Sequence, residues 1–160
     1  MSPASPPPSS PPVPLARLFA MAFRDLIDDL HDRLRDRGWH DLRPAYGFVL
    51  LAAEAGPTSV TALAALMGMT KQAASKLVDA MAAGGYVARG AGATDARQRP
   101  VTLTPRGRRL LAAVEEIYAE LEAGWAAVIG EPRVADLRDA VLAVLVDRHG
   151  DDLPPIRPGW

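Results

Sequence analysis

The sequence predicts a mainly α-helical domain that carries one small β-hairpin. Two long segments repeat apolar residues at helical spacing, two shorter helical segments meet at a glycine-containing turn, and two short β-prone runs flank a loop rich in glycine, alanine and arginine. The 160 residues suffice for one domain, and an apolar share of 49% with 23% charged residues is typical of globular proteins. The chain has no cysteine, which excludes disulfides and thiol-based sites.

Both ends of the chain are expected to lie outside a single domain at residues 15–150. Residues 1–14 contain seven prolines, four serines and no charged side chain, which predicts a disordered tail. This tail is either a solvated extension or a docking segment around Pro6 to Pro8. It lacks the apolar core of a signal peptide, and no apolar run reaches the roughly 18 residues of a membrane span, so a cytoplasmic protein without a membrane partner is expected. Residues 151–160 are expected to form a C-terminal tail.

The first two helices are predicted from an apolar stripe and from helix-ending residues. Residues 15–37 place apolar side chains on one face and charged ones on the other, and Gly38 ends this helix. Pro44 suits the first turn of a second helix, because proline is tolerated there and disfavours helix at the residue before it. Gly56-Pro57 ends the second helix.

The next segment predicts a helix-turn-helix. Thr58 or Ser59 can cap a short helix, residues 67–69 form a tight turn around a glycine, and Thr70 can cap a second helix at 71–83. The polar residues of that second helix are expected to face outward; they are Lys71, Gln72, Ser75, Lys76 and Asp79.

A hairpin and two further helices complete the chain. Residues 86–89 and 101–103 are predicted as strands on either side of the arginine-containing loop, and Thr104-Pro105 is a strong helix start. The last helix is expected at about 133–146. This order of elements is a winged helix-turn-helix with helical additions at both ends.

Charge is distributed unevenly along the chain. Residues 57–110 hold eight basic and two acidic side chains, a net charge of +6, whereas the rest of the chain carries −7 of a total of −1. A basic centre in an acidic frame indicates a polyanionic partner for that centre.

Four short sequences carry a resemblance to a known family. They are LAALMGMTKQA at 63–73, GYV at 85–87, DAR at 95–97 and LTPRG at 103–107, with Asp95 nine residues before Thr104. Over residues 15 to about 148 the chain resembles the MarR family of bacterial transcriptional regulators. It departs from the family at Ala96, where many members have arginine, and at Arg43, where a capping threonine is common.

The resemblance implies a DNA-binding homodimer. Helices at 15–37 and 105–148 would interlock two copies, and residues 44–104 would form the DNA-binding lobe, with recognition helices in successive major grooves and wings in adjacent minor grooves. The residues that it assigns to double-stranded DNA are Thr70, Lys71, Gln72, Ser75, Lys76, Asp95, Arg97 and Arg99. Arg97 would be the minor-groove arginine, oriented by Asp95, and Arg99 would supplement it.

The chemistry of these side chains suits base reading. Gln72 can pair with the N6 and N7 edge of adenine, and Lys71 and Lys76 suit guanine edges or phosphates. The alternative interpretation is that they are ordinary solvated helix residues. A second class of function is a winged-helix module that binds proteins without reading DNA; the localised +6 charge favours the DNA reader.

An effector site is expected where the first, second and fifth helices meet, as the resemblance implies. Trp39, Arg43 and Tyr46 lie near that junction, and His31 can reach it. Aromatic walls beside a cation suit a small aromatic or phenolic anion. The alternative is that Trp39 and Tyr46 pack the hinge and Arg43 is solvated.

No enzymatic motif is present in the sequence, so a catalytic role is not expected. A metal site built from His31 and His40 with Asp36 or Asp41 matches no closed ligand spacing. Neither a metal nor another cofactor is therefore expected.

Overall fold

The computed structural model describes residues 13–90 and 99–150. Those residues form six helices and one two-stranded sheet, which confirms the predicted fold class. The elements in chain order are α1 (Leu15–Asp36), α2 (Ala45–Glu54), α3 (Val60–Met67), α4 (Lys71–Ala83), β1 (Val87–Arg89), β2 (Val101–Leu103), α5 (Pro105–Ile129) and α6 (Glu131–His149). The predicted tails at 1–14 and 151–160 fall wholly or almost wholly outside the described residues, as does most of the predicted hairpin loop.

Three helices start at the capping hydroxyls that the sequence offers. Ser59, Thr70 and Thr104 each accept a hydrogen bond from the backbone N–H three residues later, at 3.1, 3.2 and 3.0 Å. Each bond satisfies a donor that the first helical turn would otherwise leave without a partner. Between α3 and α4 the chain turns at Gly68, whose φ of 64° is left-handed backbone that glycine adopts without steric cost.

The hairpin is tied to the start of the helix-turn-helix. The antiparallel strands place Val87 opposite Leu103 and Arg89 opposite Val101. On its other side, Val101 exchanges backbone hydrogen bonds with Thr58 at 2.7 and 3.1 Å. Thr58 therefore pairs with β2, and the cap of α3 is Ser59.

The last helix is longer than predicted. α6 covers Glu131–His149 rather than 133–146, because Pro132 fits its first turn and no glycine or further proline interrupts it before Gly150. Gly130, with a φ of 90°, separates it from α5.

The core lies where the helices α1 to α5 meet the base of the hairpin. Its largest fully buried side chains include Leu50 of α2, Leu63 of α3, Met81 of α4 and Leu110 and Ile117 of α5. Within the described chain, α6 packs mainly against α5 and buries none of its own residues, and the first half of α1 is largely exposed. The core therefore fixes α4 and the base of the hairpin, while the terminal helices keep open apolar faces.

Candidate nucleic-acid interface

Three of the predicted DNA-contact residues are solvent-exposed on the outer face of α4. Lys71, Gln72 and Lys76 are all exposed, with Gln72 and Lys76 one helical turn apart. The opposite face of α4 is anchored, because Leu77 and Val78 are buried in the core. Thr70 caps the helix and is itself exposed. α4 thus presents cations and an amide on a rigid helix.

Asp79 is exposed as predicted, whereas Ser75 is not, and both side chains contact the hairpin. Ser75 is half-buried, and its hydroxyl accepts a hydrogen bond from Arg89 of β1 at 3.2 Å. The same Arg89 nitrogen lies 2.7 Å from a carboxylate oxygen of Asp79. Tertiary contacts with the hairpin therefore engage both side chains, and Arg89 is partly neutralised.

The wing is described only at its base. Arg99, just before β2, is exposed. Asp95 and Arg97 lie outside the described residues, so their roles remain predictions.

A second group of exposed cations begins α5. It consists of Arg106, Arg108 and Arg109. Arg106 places its guanidinium 5.0 Å from the ring centre of Tyr86 and 5.7 Å from that of Trp39. Both distances are within the range of cation–π attraction.

A cavity of about 710 Å³ lies between α1, α2 and α5. Its lining includes His31, Arg43 and Tyr46, as predicted. Trp39 does not line the cavity. Its ring packs near Tyr86, with 6.3 Å between the two ring centres. The main aromatic and aliphatic walls that sequence reasoning misses are Phe23, Ile27, Phe48, Leu51, Val114 and Tyr118.

Those walls are detectable from the sequence only in part. Phe23 and Tyr118 belong to the apolar stripes of the first and fifth helices, but a stripe does not distinguish side chains around a cavity from close-packed ones. Their contribution depends on how the helices meet.

The polar groups of the cavity have mixed charge. Arg24 and Arg43 line it together with Asp28 and Glu115. Burial, and secondarily the neighbouring Glu115, raises the pKa of the Tyr118 phenol above its ordinary value. The phenol is therefore protonated at neutral pH and can donate a hydrogen bond.

The histidines do not form a metal centre in the described part of the chain. His31 Nδ1 donates to the backbone carbonyl of Ile27 at 2.8 Å. Among residues 13–90 and 99–150, no group of three or more histidine, aspartate or glutamate side chains is placed to hold a metal ion.

No helix among the described residues combines the length and the apolar character needed to cross a bilayer.

Comparisons with known proteins agree with this architecture. A family model described as MarR family matches residues 40–98, from the segment before α2 into the hairpin loop. Over these residues the chain is similar to the MarR family. The family consists generally of DNA-binding transcriptional regulators, which are not enzymes. The matched residues include the whole helix-turn-helix and the first strand of the hairpin.

Solved structures extend the similarity beyond the matched segment. A cysteine-to-serine mutant of MarR from E. coli has a TM-score of 0.71 and 22% identity, covering 85% of this chain and 99% of that one. BldR, a transcriptional regulator from Sulfolobus solfataricus, has a TM-score of 0.60 and 26% identity, covering 83% and 93%. Rv2887, a MarR family protein from Mycobacterium tuberculosis in complex with salicylic acid, has a TM-score of 0.63 and 25% identity, covering 83% and 97%. A comparison with curated proteins gives no match.

Proposed function

We propose that this protein is a transcriptional regulator that binds a palindromic operator in double-stranded DNA as a homodimer, with α4 of each copy in a major groove. The observation that carries the proposal is the outer face of α4, where Lys71, Gln72 and Lys76 are exposed on a capped helix anchored in the core. An α-helix fits the major groove, where an amide and two ammonium groups can contact base edges and phosphates. The base of the wing at Arg99 and the residues Asp95 and Arg97 complete the proposed surface.

The proposal of a homodimer is supported by the exposed apolar faces of the terminal helices. Apolar side chains that no part of the described chain covers include Phe19 at 47% and Phe23 at 56% exposure on α1, and Val128 at 84% and Val144 at 68% on α5 and α6. Contiguous apolar surface of this kind is usually buried by association. A symmetric partner covers the same faces on both copies.

Selection of preferred sequences from a random pool of duplexes tests this proposal. We expect enrichment of two inverted half-sites whose centres lie about one helical turn apart. Enrichment of a single half-site would contradict the dimeric arrangement. Absence of any enriched duplex would favour the protein-binding winged-helix alternative.

We further propose that a small aromatic or phenolic anion in the cavity releases the operator, so that the regulator acts as a repressor. Arg43 supplies a cation beside Tyr46, and the protonated phenol of Tyr118 supplies a hydrogen-bond donor. The complex of the similar Rv2887 with salicylic acid supports this ligand class.

The cavity also has a direct contact path to the DNA-binding lobe. The ring of Tyr46, which lines the cavity, lies 5.9 Å from that of Tyr86. The backbone of Tyr86 joins the end of α4 to the start of α5, because it donates to Met81 at 2.9 Å and accepts from Thr104 at 3.2 Å. A ligand that displaces Tyr46 therefore acts on the turn between recognition helix and wing.

A reciprocal binding experiment tests the effector proposal. Aromatic carboxylates and phenols that raise the melting temperature should weaken operator binding, and the operator should weaken ligand binding by the same factor. Arg43→Ala should abolish both effects, whereas Arg17→Ala, an exposed α1 residue outside the cavity lining, should leave them intact. Ligands that stabilise the protein without changing DNA affinity would contradict this role of the cavity.

A further inference from the structure

We infer that Arg89 is a positioning residue that fixes the wing against the recognition helix by holding Asp79 and Ser75. The inference rests on the proposed DNA-binding function. It assigns two of the polar residues on α4 and one of the hairpin cations to the internal geometry of the DNA-binding lobe rather than to direct contact with DNA.

The contacts converge on one atom of Arg89. Its Nη2 lies 2.7 Å from Asp79 Oδ1, 3.2 Å from the Ser75 hydroxyl oxygen and 3.3 Å from the Ser75 carbonyl oxygen. The Arg89 side chain is only 26% exposed, and its Nε is buried without a hydrogen-bond partner among the described residues. The guanidinium is therefore turned inward onto α4 and not extended toward solvent.

The three residues connect elements whose relative orientation matters for DNA binding. Ser75 and Asp79 are one helical turn apart in the middle of α4, and Arg89 is the last residue of β1 before the wing loop. β1 itself is only three residues long, and in the described part of the chain its one strand partner is β2. The side-chain contacts from the end of β1 to α4 therefore form a clamp, which adds to the core contacts that already hold the base of the hairpin and extends this hold to the end of the strand.

Charge gives a second argument. Lys71, Ser75 and Asp79 lie on one row of α4 at spacings of four residues, so Asp79 places a carboxylate on the face proposed to approach phosphates. A lone carboxylate there would repel DNA. Pairing with Arg89 neutralises the Asp79 carboxylate and so makes it compatible with this face. The same pairing means that the charge of Arg89 is not available to DNA.

The sign of the Asp79→Asn effect tests the clamp. Removing a negative charge from a DNA-facing helix should tighten binding if electrostatics alone operates. The clamp predicts the opposite, a loss of about tenfold in affinity for the selected duplex with reduced discrimination against a scrambled duplex. Glu54→Gln makes the same charge change at an exposed residue of α2 and should cause no such loss.

Variants of Arg89 separate positioning from phosphate contact. Arg89→Gln should weaken the selected duplex while leaving the slope of log affinity against log salt unchanged; a direct phosphate contact would reduce that slope by about one. Arg89→Lys keeps the charge but has a single ammonium in place of the planar guanidinium, so it should recover only part of the affinity. Ser75→Ala should cause a smaller loss in the same direction. Melting temperatures of all variants verify that they fold.

A double-mutant cycle measures whether Asp79 and Arg89 act through the same contact. Asp79→Asn combined with Arg89→Gln should lose no more affinity than the larger single loss, because both remove the same clamp. Additive losses, or tighter binding by Asp79→Asn, would overturn the inference while the proposed function stands. Failure of the wild-type chain to bind any duplex selectively would overturn the proposed function and the inference with it.

Discussion

At the scale of single residues, Gln72 and Lys76 differ in what they can recognise although both are exposed on α4. An amide pairs with one base edge in a defined geometry, whereas an ammonium group also binds phosphates of any sequence. Gln72→Ala should therefore reduce discrimination at one base position in each half-site by about 1–3 kcal/mol. Lys76→Ala should weaken all duplexes to a similar extent and lower the salt slope by about one.

Base-by-base affinity profiles of the two variants check this difference. If both variants lose affinity equally on every sequence, Gln72 is a phosphate contact or does not touch DNA.

Gly107 is a second residue with a specific structural demand. A Cβ at this position would lie 2.1 Å from the backbone oxygen of Tyr86 and 3.2 Å from a methyl carbon of Leu103. Gly107→Ala should lower the free energy of unfolding by roughly 2 kcal/mol or more, since backbone must move to admit the methyl group. Gly124→Ala, in the same helix with nothing within 4 Å, should be neutral or stabilising. Equal denaturation midpoints for the two variants would contradict the close packing of Gly107.

Helical periodicity is enough to predict that Lys71, Gln72 and Lys76 are exposed on α4. It does not predict the pairing of Ser75 with Arg89, because these residues are 14 positions apart and only the folded hairpin brings them together. Periodicity also does not decide between the two positions expected for Trp39, the cavity wall and the hinge. An aromatic residue near a helix junction has several surfaces to pack on. In this structure Trp39 packs near Tyr86 and Arg106, outside the cavity lining.

At the scale of elements, the threonine that starts α5 does more than cap a helix. Thr104 Oγ1 accepts from the N–H of Gly107 at 3.0 Å and donates to the carbonyl of Gly85 at 2.6 Å. It therefore ties the start of α5 to the turn that follows the recognition helix. Ser59 makes only the capping bond among its described side-chain contacts.

This difference predicts unequal costs for the two caps. Thr104→Ala should lower the free energy of unfolding by about 2 kcal/mol and Ser59→Ala by about 1 kcal/mol. Thr104→Ser, which retains the hydroxyl, should recover most of the loss. Chemical denaturation of the three variants measures these costs, and equal values for the two alanine variants would contradict a tie from Thr104 to Gly85.

The boundaries of most elements can be predicted because their signals are local. The hydroxyl caps of α3, α4 and α5 and the turn at Gly68 each involve residues within a few positions of one another. The predicted ends of α6 are wrong because this helix buries none of its residues, and no burial pattern marks where it stops.

At the scale of the whole molecule, ion pairs join the C-terminal end of α1 to α5. Arg33 of α1 and Arg37, the residue that follows α1, pair with Glu120, and Arg37 also lies 3.0 Å from Glu116. Their charges are visible in the sequence, but the partners are about 80 positions apart and their register follows from helix packing alone. These exposed pairs add little to the core contacts between the two helices, and they leave the apolar faces open.

A single charged substitution on one of these exposed apolar faces tests whether the protein forms the proposed dimer. Val144→Asp places a carboxylate on a side chain of α6 that is 68% exposed and proposed to face the partner. We expect it to weaken dimerisation by at least about tenfold, because burying an unpaired charge in an apolar interface is unfavourable. Thr61→Asp adds the same charge to an exposed position of α3 and should leave the dimer intact.

Sedimentation over a range of protein concentrations distinguishes these variants. A wild-type chain that sediments as a monomer and still binds its operator with full affinity would contradict the homodimer.

The central claim is that the basic centre of the chain binds DNA selectively, despite an overall charge of −1. The most direct measurement is the affinity of the wild-type protein for its selected duplex and for a scrambled duplex, each titrated with salt. We expect both affinities to fall steeply when log affinity is plotted against log salt concentration. At physiological salt the selected duplex should bind at least about 1,000-fold more tightly than the scrambled duplex. A slope near zero, or equal affinities for the two duplexes, would contradict the claim.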